Sequence, residues 1–103
     1  MLMYLSILDT QDEKEKFTEV YEQYQHFCWY VANQMLGDDH LAEDAVQEVF
    51  LSLLTSKPVF RDAGHEKAWL IRATLHRASD IRRRAEKRNV PLETAENSPA
   101  REE

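Results

Sequence analysis

Glycine and proline are scarce, two and three respectively among 103 residues. An all-β design needs frequent turns, so this scarcity argues against one. Cysteine is scarcer still. The lone Cys28 allows no intramolecular disulfide and no cysteine-based zinc site. It stands at helical spacing among apolar residues, where a buried, inert thiol is expected. His26, His40, His65 and His76 form no HxxxH or HExxH pair, so no metal site and no cofactor is expected. Long apolar runs are missing too. The opening MLMYLSILDTQ falls well short of the roughly 18 residues of a membrane span. It also lacks the basic n-region and cleavage site of a signal peptide. Residues 1–11 therefore read as an apolar strap on the domain, in a cytoplasmic protein with no membrane partner. There is no Gly-rich phosphate loop and no Ser-His-Asp arrangement. Glu43, Asp44 and Glu48 have no complementary base near them in sequence and read as a solvated face, so no enzyme is expected.

What is present is charge, unevenly placed. The net charge is −6. Residues 1–56 hold two lysines against eleven acids, and residues 57–88 hold ten Lys/Arg against four acids. Residues 89–103 return to acidic, with one Arg and four Glu. A basic block in an acidic chain suggests partners of two kinds, one of them nucleic acid. A merely solvated surface fits the charge equally well.

Hydrophobic periodicity predicts three helices in a single domain. The first runs from Asp12 to Leu36, with Phe17, Val20, Tyr21, Tyr24, Cys28, Val31 and Met35 on one stripe and Gly37 as its C′ residue. The second covers His40 to Thr55, capped by Asp38 or Asp39 and ended by Pro58. Its core face is Ala42, Val46, Val49, Phe50 and Leu53. Asp44, Gln47, Glu48 and Leu51 lie opposite, with Leu41 and Leu54 at the edges. A leucine in an acidic face is either a scattered surface residue or the apolar anchor of a docking face. Phe60 is expected to plug one end of the core from the connector. The third helix, Lys67 to Arg88, turns Leu70, Ile71, Thr74, Leu75, Ala78 and Ile81 inward. Trp69, Arg72, His76, Asp80, Arg83 and Arg84 share its other face. Tryptophan among arginines is the composition of surfaces that grip partners or stack on unpaired bases. Residues 12–88 thus read as a compact all-α three-helix bundle, and 89–103 as a disordered acidic tail.

These residues resemble region 2 of bacterial RNA polymerase sigma factors, most closely the extracytoplasmic-function (ECF) class. The likeness rests on HLAEDAVQEVFLSLL at 40–54 and KAWLIRATLHRASDIRRR at 67–84, supported by FTEVYEQYQHFCWYVANQML and by VPLE after the basic run. The resemblance implies that the helix over 40–54 docks on the clamp helices of the largest subunit of core RNA polymerase. Asp44, Gln47 and Glu48 match the family's polar contact positions, and Leu51 and Leu54 its neighbouring ones. It implies that the helix over 65–84 recognises and melts the promoter −10 element by capturing non-template-strand DNA. Trp69 matches the melting aromatic, and Arg72, Arg77, Arg82, Arg83 and Arg84 are candidate phosphate contacts. His76 stands where many of these factors carry an asparagine near the flipped base. Imidazole can stack or make one hydrogen bond, but it lacks the amide's paired donor and acceptor. An anti-sigma factor is a further partner of this family. Such factors also carry a second helical domain, region 4, so the chain is expected to be a fragment ending in the linker toward it, with a stand-alone paralogue as the alternative. The alternative is a helical interaction module that binds polymerase or an anti-sigma factor without melting DNA.

Overall fold

The structure, a computed structural model, describes Leu5 and residues 8–89. The readings of residues 1–4, 6 and 7 as strap, and of 90–103 as tail, lie outside the described residues. Three helices follow in order: α1 (Gln11–Leu36), α2 (Asp39–Ser56) and α3 (Ala63–Asn89). The described residues contain no strand. The fold is an all-α three-helix arrangement in which each helix packs on the other two.

Side chains and backbone set each helix end. At the start of α1 the Thr10 hydroxyl accepts from the Glu13 N–H at 3.1 Å. The Glu13 carboxylate in turn accepts from the Asp9 N–H at 3.1 Å. This is close to a capping box, with two otherwise orphaned donors satisfied reciprocally. Gly37 ends α1 in the left-handed region (φ 64°, ψ 25°), where its N–H reaches the Asn33 carbonyl. The absence of a Cβ makes that conformation cheap. Asp38 caps α2, accepting from the Leu41 N–H at 3.0 Å. The residue before a proline is steered away from the helical region. Lys57, which precedes Pro58, turns left-handed (φ 46°, ψ 57°) and closes α2 on the Leu53 carbonyl. Helix α3 begins four residues before the expected Lys67. The reason is Asp62, whose carboxylate accepts from the His65 N–H at 2.8 Å and so supplies an N-cap upstream.

Two clusters make the core. At one end Phe17 and Tyr24 of α1, Val49, Phe50 and Leu54 of α2, and Leu70 of α3 pack with Leu8. Phe50 is fully buried and meets the edges of Phe17 and Tyr21 at 6.1 and 5.0 Å. At the other end Ala32, Ala42, Ala45, Ala78 and Ile81 form a second buried cluster, built largely of small side chains. The start of α1 thus meets the end of α2, and its end meets the start of α2, so the two helices are antiparallel. Cys28 is buried, and burial pushes its thiol above the ordinary range, a hydrogen bond with Thr74 partly offsetting this. Thr74, buried on α3, donates its hydroxyl to the Leu70 carbonyl at 2.7 Å.

Four inward or outward assignments from periodicity need correction. Leu54 is in the core, 1% exposed, whereas Leu53 is only half-buried. Leu8 packs in the same core cluster as Leu54, and Leu53 lies against that cluster, with Leu8 and Phe60 lining the cavity at the end of α2 beside both leucines. Leu75, expected inside, is 40% exposed. Trp69, expected on the outer face, is half-buried and packs against the core cluster, because the connector folds Phe60 onto it.

Candidate functional site

Four of the five residues expected to dock on a partner share one sector of α2. Successive residues turn by about 100°, which brings Asp44, Gln47, Glu48 and Leu51 within roughly a third of the circumference. Asp44 and Gln47 are exposed, while Glu48 and Leu51 are half-buried. The pattern is carboxylates and an amide around a partly covered leucine. Such a face can accept charge-assisted hydrogen bonds from basic side chains and can seat one apolar contact. The fifth residue, Leu54, is not on this surface. At 1% exposure it cannot reach a partner while the core is intact.

On α3 the indole of Trp69 is anchored rather than free. Its ring meets Phe60 edge-on at 5.9 Å, and Phe60 meets His65 at 5.3 Å. The Nδ1 of His65 accepts from the Arg61 N–H at 3.0 Å, which fixes the connector against the first turn of α3. Arg72, His76 and Arg83 continue the Trp69 sector along the helix, all three exposed. An anchored aromatic with exposed cations and an imidazole beyond it can stack on a base and follow a phosphate backbone.

The remaining arginines divide. Arg77, Arg83 and Arg84 line a cleft of about 330 Å³ between α3 and α2, together with Glu48, Asp80 and Lys87. Arg83 donates to the Asp80 carboxylate and, at 3.1 Å, to the Ser79 hydroxyl. Arg84 faces the Glu48 carboxylate across the helix gap at 3.9 Å. Arg82 is exposed but does not line this cleft. Two residues before Arg84, it points about 200° away around the helix.

Sequence reasoning missed three participants. Asp80, taken as another polar residue on the outer face, holds Arg83, and an acid three positions before an arginine was the available signal. Phe60 was assigned to the core end, and its contact with Trp69 depends on how the connector folds. The meeting of Glu48 with Arg84 joins two sites that had been read as separate, and no local pattern signals it. The described residues contain no group of three or more His, Cys, Asp or Glu able to hold a metal ion. None of their helices is long and apolar enough to cross a membrane.

Comparison with known proteins bears on both helices. The family described as Sigma-70 region 2 matches residues 20–88, which take in most of α1 and nearly all of α3, with α2 between them. The chain is similar to the ECF RNA polymerase sigma factor SigX of Bacillus subtilis (strain 168), at 31% identity over 67 residues. That alignment covers 65% of this chain and 34% of SigX, so the chain spans about a third of the length of the relative it matches. No solved structure matches.

Proposed function

This chain belongs to the sigma-70 region 2 family, a module of transcription initiation factors, and from that premise we propose that it docks on core RNA polymerase through α2 and captures promoter DNA through α3. One observation carries the reading: a single packed unit presents an acidic face around Leu51 on α2 and an anchored indole among cations on the adjoining α3. Asp44, Gln47, Glu48 and Leu51 engage basic side chains on the clamp helices of the largest polymerase subunit. Trp69 replaces the stacking that a base loses when it leaves the duplex, a loss of a few kcal/mol that a melting factor has to offset. Arg72 and Arg77 hold the phosphates of the non-template strand at the −10 element, and His76 faces the captured base.

The test is binding of a labelled single-stranded −10-like oligonucleotide, with and without core polymerase. Trp69→Ala is expected to weaken capture while the circular dichroism spectrum stays helical. Absence of oligonucleotide binding in the presence of core, with no response to salt, overturns the DNA half of the proposal.

The second reading, an interaction module that binds polymerase or an anti-sigma factor without melting DNA, has one observation in its favour. Arg83 and Arg84 each face a carboxylate of this chain. Intact polymerase association in a protein that captures no single strand selects this reading.

A further inference from the structure

We propose that Glu48 is a latch on Arg84, keeping that guanidinium from DNA until a partner on α2 takes the carboxylate. The inference rests on the proposed function, since it needs both a partner at α2 and DNA at α3. Four cations and two acids line the cleft between the helices. Each acid faces one arginine, but the two pairs differ in kind. Asp80 and Arg83 stand three residues apart on the same helix. Nothing that happens at α2 separates them. Glu48 and Arg84 belong to different helices and to the two different proposed interfaces.

The geometry of this second pair suits a contact that opens. The separation is 3.9 Å, and the Arg84 and Glu48 side chains keep 60% and 41% exposure. A basic side chain of a partner can approach the same carboxylate in a shorter, two-pronged geometry and outcompete Arg84 for it. The cleft's balance then rises from +2 to +3, counting the residues that line it. Arg84 is left to pair with a phosphate. Coupling of this sort is reciprocal: whatever factor polymerase docking adds to DNA affinity, DNA adds to polymerase affinity. Exposed ion pairs limit that factor to about 5-fold. The latch therefore tunes the order of events and does not act as an absolute gate.

The experiment is a double-mutant cycle on the full chain, read by anisotropy of a fluorescein-labelled single-stranded DNA of random sequence without polymerase. Wild type, Glu48→Gln, Arg84→Gln and the double variant are compared at low salt. Removing any nearby acid raises affinity for DNA somewhat by long-range attraction, and the cycle subtracts this. Glu48→Gln is expected to tighten binding more in the presence of Arg84 than in its absence, by a ratio of about 2–5. Equal effects in the two backgrounds overturn the latch and leave the proposed function standing. No binding by any of the four proteins, Glu48→Gln included, overturns the latch, while the DNA half of the proposed function is judged by the separate oligonucleotide test in the presence of core.

Discussion

The two candidate faces stand on adjoining helices and are built differently. The α2 face takes its members from one sector of one helix, with Asp44 and Gln47 exposed and Leu51 half-buried between them. The α3 face gathers five arginines in sequence but spreads them in space. Arg83 and Arg84 face acids of the same chain, while Arg72, Arg77 and Arg82 have no carboxylate within ion-pair distance among the described residues, and of these three Arg77 alone lines the α2–α3 cleft. A count of basic residues thus overstates the charge an interface can use. For five phosphate contacts the salt response of single-strand binding has a slope of about −3.5, and for the three arginines without an intrachain acid it is about −2.1.

The largest effect comes from what the faces share. Phe50 is fully buried and bridges Phe17 and Tyr21. Phe50→Ala is expected to cost about 3–5 kcal/mol, the usual range for deleting a buried phenylalanine. Domains of this kind are stable by only about 5–15 kcal/mol in total. Urea denaturation should register the loss directly, and polymerase and oligonucleotide binding should fall together. If one interaction survives the loss of the other, the two faces do not depend on a common core.

Next come substitutions that should separate the faces. Leu51→Asp places a charge at the apolar centre of the α2 face, where a central anchor is worth about 2 kcal/mol or more. Polymerase association should be lost in a pull-down while oligonucleotide binding is retained. Trp69→Ala should do the reverse, weakening single-strand capture by about 1–3 kcal/mol, the worth of one stacking contact. Because Trp69 also packs on the core, that variant is compared with wild type well below its melting temperature. If both substitutions damage both interactions equally, the division into two faces is wrong.

Much of the fold was legible because it is local. Gly37, Asp38 and Pro58 punctuate the chain where a left-handed turn, a cap and a missing N–H are needed, and the aromatic stripe of α1 keeps helical spacing. Burial at the helix ends was less legible, because it depends on what covers each end. Leu54 packs with Leu8, and Trp69 meets Phe60 as well as the core cluster, partners that arrive from elsewhere in the chain. Ala32 and Ala45 were overlooked for another reason. Ala42 and Ala78 stood out beside larger apolar neighbours, whereas Ala32 and Ala45 add little hydrophobic signal of their own to a stripe although both are fully buried. Of the candidate site, periodicity could place Asp44, Gln47, Glu48 and Leu51 on one face. The contact between Glu48 and Arg84 spans 36 positions of sequence and exists only once α2 and α3 have packed.

The smallest expected effect tests the division among the arginines themselves. Arg77 lies in the cleft beside α2, and Arg82 lies outside it. If DNA follows the Trp69 side of α3 into that cleft, Arg77→Gln removes one phosphate contact. The slope of log affinity against log salt should then shrink by about 0.7, the contribution of one contact on a single strand. Arg82→Gln removes the same formal charge from the same helix but should leave the slope unchanged, with only a slight weakening at low salt from long-range attraction. Both positions keep their side chains out of the buried core, so neither substitution should alter the helical content. A salt titration of the two variants side by side decides the matter. If Arg82→Gln flattens the slope as much as Arg77→Gln does, the strand wraps around α3 beyond the cleft, and the difference drawn between the two arginines disappears.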